Sequence, residues 1–203
     1  MDIVKSTIIG ISIGAIPGII FFEIIRRTLT RGFLSGILLS IGEFVGNFLV
    51  LLLIYFGFSQ FFAFRLTSIL LYLIGSFILG YIGINALKLT KENIEQSYKK
   101  KEIAQSSLVA GFLIAITNPL AIALWLSLVG SYIQGLSKVS AIINVFFLAF
   151  GLVIFYFGMV TAVNMTKHKI PTKYILFLSK LFGAILLFYS ASFLYNFLKL
   201  IML

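Results

Sequence analysis

Residues 3–25 read IVKSTIIGISIGAIPGIIFFEII. The run is apolar over more than the roughly 20 residues a helix needs to cross the hydrocarbon layer. It is interrupted at its middle by Gly14-Ala15-Ile16-Pro17-Gly18. Proline has no N–H, and its ring clashes with the carbonyl four residues earlier, so the helix must break or kink there. Hydrocarbon supplies no water to the backbone groups this frees, so the break must face protein or a wet cavity. The stretch therefore predicts a membrane span with a built discontinuity. Met1 to Lys5 carries one acid and one base, and no small-residue cleavage site follows, so the segment reads as a span and not as a removable signal.

The rest of the chain repeats the pattern. Of its 203 residues, 61% are hydrophobic and 11% charged, which excludes an ordinary water-soluble domain. Apolar runs lie at Ile3 to Ile25, Phe33 to Phe58, Leu66 to Leu87, Leu108 to Ile133, Val139 to Met165 and Tyr174 to Leu198. This predicts an all-α polytopic membrane protein of six transmembrane helices, residues 1–203 forming one membrane domain. The first, third and fifth loops hold 11 Lys and Arg against two in the second and fourth. Positive charge stays on the cytoplasmic side, so both termini are expected outside a multi-pass inner-membrane protein. The net charge of +10 is then orientation charge, and nucleic acid is not an expected partner.

The polar stretch from Lys88 to Ser107, with Glu92, Glu95, Glu102 and Lys99 to Lys101, divides the chain into a first unit (1–90), a cytoplasmic linker (91–107) and a second unit (108–203). Three spans before the linker and three after imply opposite orientations, the arrangement of two inverted three-helix repeats. Proline-broken helices 1 and 4 stand at matching positions, since Thr117-Asn118-Pro119 interrupts the fourth run and the third proline, Pro171, lies in a loop. Half-helices near the midplane can aim their positive ends at an anion. Gly14, Pro17, Gly18, Asn118 and Pro119 are accordingly candidate substrate-binding residues.

Two acids lie inside spans, Glu23 and Glu43, and each costs roughly 3 kcal/mol to insert there, so each needs a reason. At roughly 100° per residue, Gly32, Gly36, Ser40, Glu43 and Asn47 share about 80° of arc on the second span. Gly42 and Gly46 widen this small, polar stripe. Glu43 is read as a proton carrier or a partner for a cationic substrate group, with Asn47 beside it as a substrate contact. The plainer alternative is a protonated Glu43 that only hydrogen-bonds a neighbouring helix. Glu23, a second candidate for proton coupling, precedes Arg26 and Arg27 by three and four residues, the spacing of a helical ion pair.

Cysteine is absent, and the single histidine, His168, sits in a loop between lysines, so no metal site is expected. Trp125 and the many Phe and Tyr residues read as packing or lipid contacts. Gly75, Gly80, Gly83, Gly151, Gly158 and Gly183 read as close helix contacts. No nucleophile beside a base and no phosphate-cradling loop appears, so neither an enzyme nor a catalytic residue is expected.

Pro17-Gly18, Arg27, Gly32 and Gly36, then Gly42 and Gly46, the stretch Tyr72-Leu73-Ile74-Gly75-Ser76 to Gly83, and Gly111-Phe112 through Asn118-Pro119 to Trp125 together resemble the LysE/RhtB family of amino-acid exporters. Ile19 stands where that family's pattern has a second proline, and Leu120 where it has a lysine. The resemblance implies secondary export of amino acids or related small metabolites by proton antiport, without ATP or any cofactor. An exporter of a cation or another small solute, or a non-transporting membrane scaffold, are the alternatives. The oligomeric state stays open, a homo-oligomer included.

Overall fold

The computed structural model describes residues 3–97, 102–128 and 136–202, and among these every regular element is helical. Helices α1 (Ile3–Gly14) and α2 (Ile19–Arg31) form a pair bent by 73° across the Gly14 to Gly18 break. Helix α3 (Phe33–Leu53) runs through a π-helical turn at Ile54–Phe58 into the short α4 (Ser59–Ala63). Helices α5 (Arg65–Leu87) and α6 (Lys91–Ser97) follow, then α7 (Glu102–Thr117) and α8 (Pro119–Leu128), bent by 62° at Asn118. The longest are α9 (Lys138–Lys167) and α10 (Thr172–Met202). Among the described residues, four helices are long and apolar enough to cross a membrane, and up to six spans result if each bent pair counts as one. The chain is thus an all-helical, multi-pass membrane protein.

The structure adds to the sequence expectations at three places. Gly32 heads the α3 stripe as its N-cap and not as a helical residue; at φ 93° it separates α2 from α3, its amide donating to the Thr28 carbonyl (3.2 Å) and its carbonyl accepting from the Gly36 amide (3.4 Å). Only glycine reaches that φ without a Cβ penalty. The second span leaves α-geometry at Ile54 and turns at Gly57 (φ 96°) before the Phe58 where it was expected to stop. The linker also carries helix: α6 begins after a reciprocal cap in which Thr90 and Asn93 bond each other's backbone amides through their side chains. Helix α7 starts at Glu102, ahead of the expected Leu108, because Glu102-Ile103-Ala104-Gln105 are helix-permissive residues that need not be apolar. Lys99 to Lys101 and the expected end of the fourth span at Ile133 lie outside the described residues.

Glycines set which helices touch. Helix α3 lies along α7, α1 along α9, and α5 along α10, with α3 and α9 crossing between them. Gly42 sits on the Leu108 carbonyl, while Gly111 sits on the Leu39 carbonyl and the Glu43 amide. Gly10 and Gly151 make the same contact between α1 and α9, and Gly83 faces Gly183 between α5 and α10. Small residues let backbones approach where lipid gives no hydrophobic drive for association. Around them Ile24, Leu39, Leu148 and Leu152 form a buried core shared by α2, α3 and α9.

This predicts a sharp contrast between two Gly→Ala substitutions. In Gly42→Ala the new methyl meets a backbone carbonyl that cannot swing aside, and a loss of about 1–3 kcal/mol is expected. Gly158 faces open space, so Gly158→Ala should stay within about 0.5 kcal/mol. Denaturant unfolding of the detergent-solubilised proteins reads both.

Candidate functional site

On a helix, residues four apart stack on one face, which places Asn47 one turn beyond Glu43 on α3. The Asn47 Nδ2 donates to Glu43 Oε1 at 2.5 Å, and the Trp125 indole N–H donates to Asn47 Oδ1 at 3.0 Å. All three side chains are buried. Trp125 thus fixes the Asn47 amide with its oxygen toward α8 and its nitrogen toward the carboxyl. Glu43 Oε2 meets no hydrogen-bond partner among the described residues. Gly42, Gly46 and Gly111 bring the α7 backbone against this turn of α3. The result is a buried carboxyl held at one oxygen and without a partner at the other among the described residues, within a helix apolar enough to cross a membrane.

The two breaks have different chemistry. Asn118 caps α8, its Oδ1 accepting from the amides of Leu120 (3.2 Å) and Ala121 (3.4 Å), with Pro119 at the first helical position, where a missing N–H costs nothing. Those two amides are therefore already engaged. Gly18 has extended backbone at the N-cap of α2 and no side chain to cap with, so the first amides of α2 have no such partner. Gly14 is buried against the Phe155 ring, and Pro17 is exposed. Ile19, just after the first break, packs in one cluster with Ile114, just before the second, and with Phe193 of α10. Gly75 of α5 touches both Phe193 and the Thr117 carbonyl.

Glu23 is wholly buried between two arginines. Arg26 reaches both carboxylate oxygens (2.6 and 2.7 Å), and Arg27 Nε binds Oε1 at 2.5 Å. Arg27 also donates to the Ser107 hydroxyl (2.9 Å) and the Ser106 carbonyl (3.2 Å), tying α2 to the start of α7. With both oxygens taken by guanidinium groups, Glu23 is a clamp in this structure.

Gly14, Pro17, Gly18, Asn47, Asn118, Pro119 and Glu43 do not line the cavity of about 750 Å³ that opens beside Arg26, Arg27 and Arg31. The Glu43 network is closed to that space. Trp125, which the sequence marks only as a membrane aromatic, is the residue that joins α8 to the Glu43 turn. The one sequence signal for it is that the chain's single tryptophan lies six residues past the Asn118-Pro119 break and away from a span end.

Comparison with known proteins agrees with this architecture. The chain is 34% identical over 125 residues to a Bacillus subtilis protein named "Putative amino acid efflux protein YcgF", covering 61% of this chain and 60% of that one. It is 27% identical over 127 residues to the "Chemotactic transduction protein ChpE" of Pseudomonas aeruginosa, covering 63% and 62%. The chain thus spans about three fifths of the length of these relatives. No solved structure matches it. The family model of the LysE type translocators matches residues 11–197, nearly the whole chain with both breaks and the Glu43 network inside, and the chain belongs to that family.

Proposed function

We propose that this protein is a secondary exporter of amino acids or related small metabolites, driven by proton antiport through Glu43. The observation that carries the reading is the buried Glu43 carboxyl, oriented by Asn47 and Trp125 and free at Oε2. Two inverted three-helix repeats supply the moving parts. The like contacts Gly10 to Gly151 and Gly111 to Gly42, each joining the first helix of one half to the second helix of the other, support that symmetry. So does Gly83 facing Gly183, a pair that such an axis would relate to itself. The uncapped start of α2 after Pro17-Gly18 offers amides to the substrate carboxylate, and Glu43 faces its ammonium or exchanges the proton. Glu23 keeps the arginines in place and takes no part in coupling.

The test is a solute panel in proteoliposomes. Vesicles acidic inside should accumulate at least one amino acid only when they carry the protein, and dissipating the gradient should release it. A relative named for chemotactic transduction favours a second reading, a non-transporting membrane subunit built on the same helices. Under that reading no solute on the panel moves.

A further inference from the structure

The cavity of about 750 Å³ between α2, α5, α6 and α7 is unused by the Glu43 mechanism, and its lining is graded along the helix axis. At one end stand four cations, Arg26, Arg27, Arg31 and Lys88. Glu23 pairs with Arg26 and Arg27, and no acid stands among the residues that line the cavity. Along α5 the wall then runs from Lys88 through Tyr81 to Phe77, positions that share one helical face and span roughly 16 Å. Apolar side chains of α7 such as Leu113 line it as well. Phe77, Tyr81 and Val109 are 69%, 72% and 54% exposed, so the cavity opens sideways between α5 and α7 through an apolar mouth.

We propose that this cavity is a binding site for an acidic phospholipid, its phosphate headgroup held by Arg31 and Lys88 and an acyl chain laid over Phe77, Tyr81 and Val109. A small hydrophilic anion would need the cationic end but not the long apolar wall or the lateral mouth. A zwitterionic lipid would gain less from these cations, because its own ammonium opposes the attraction of its phosphate. Basic pockets between membrane helices select anionic headgroups on these grounds. Because the same arginines bridge α2 to Ser106 and Ser107 of α7, the headgroup would sit on the seam between the first bent pair and the second.

Native mass spectrometry of the detergent-solubilised protein, titrated with phosphatidylglycerol, phosphatidylcholine or inorganic phosphate, tests the site. Wild type should retain phosphatidylglycerol in preference to phosphatidylcholine. Arg31→Gln with Lys88→Gln should weaken it about thirtyfold, since each cation near an acidic headgroup is worth about fivefold. Val109→Trp keeps every charge but narrows the mouth, and should weaken the lipid while leaving inorganic phosphate unaffected. Lys169→Gln with Lys173→Gln, a basic pair elsewhere, should change nothing. Equal retention by all four proteins would overturn the site. So would displacement of the lipid from wild type by millimolar phosphate, which would mark a soluble-anion site.

Discussion

Glu43→Gln is expected to abolish gradient-driven accumulation while downhill exchange of the same solute continues. For one-for-one exchange, about one pH unit sustains about a tenfold solute ratio, because each is worth about 1.4 kcal/mol. Wild-type vesicles should approach that ratio and Glu43→Gln vesicles should stay near unity. The substitution is nearly isosteric. Its amide oxygen can still accept from Asn47 Nδ2, so the Asn47 to Trp125 bond need not change. What is lost is the one group among Glu43, Asn47 and Trp125 that can exchange a proton near neutral pH. Trp125 is the only tryptophan, so its fluorescence reports directly whether the network survives. Unchanged emission with lost accumulation separates uncoupling from collapse. Full accumulation by the variant would leave Glu43 as a packing hydrogen bond and remove it from the mechanism.

The features legible in the sequence are those that local chemistry fixes. Pro17 and Pro119 must interrupt a helix whatever surrounds them, and the helices stop within a few residues of each. Glu23 and the two arginines three and four residues later pair because the helix puts them on one face. Periodicity could not see where the second span begins: Gly32 is itself the positive-φ residue that ends α2, and it joins the stripe of Ser40 and Asn47 only as the N-cap of α3. The helix within the polar linker was not legible either, because apolarity measures where a helix enters lipid and not where it begins.

Other features depend on contacts between distant parts of the chain. Trp125 lies 78 residues from Asn47, and no spacing rule joins them. The graded cavity takes side chains from four helices, each unremarkable in its own segment. Asn118 read as a substrate contact from its place beside a proline, whereas its oxygen is turned back onto the amides of its own helix. The two breaks therefore differ in what they offer a ligand, although the sequence makes them look alike.

The largest effect on folding is expected from Glu23. Two buried guanidinium groups share this one carboxylate, and in Glu23→Gln both lose their counter-charge. Breaking a buried pair from one side costs about 3–5 kcal/mol, most of it the penalty of the orphaned charge. With two arginines dependent on Glu23, the upper half of that range is expected. Such a loss is comparable to the whole stability of many domains and should appear first as poor recovery from the membrane. The reason is the orphaned charges and not the missing carboxylate itself, so removing all three should hurt less than removing one. Glu23→Gln with Arg26→Gln and Arg27→Gln should recover at least about 2 kcal/mol relative to the single variant, less the Arg27 bonds to Ser106 and Ser107. Unfolding in detergent measures the difference. A triple variant no more stable than Glu23→Gln would mean that the arginines hold α2 to α7 by themselves, with Glu23 only a bystander to that seam.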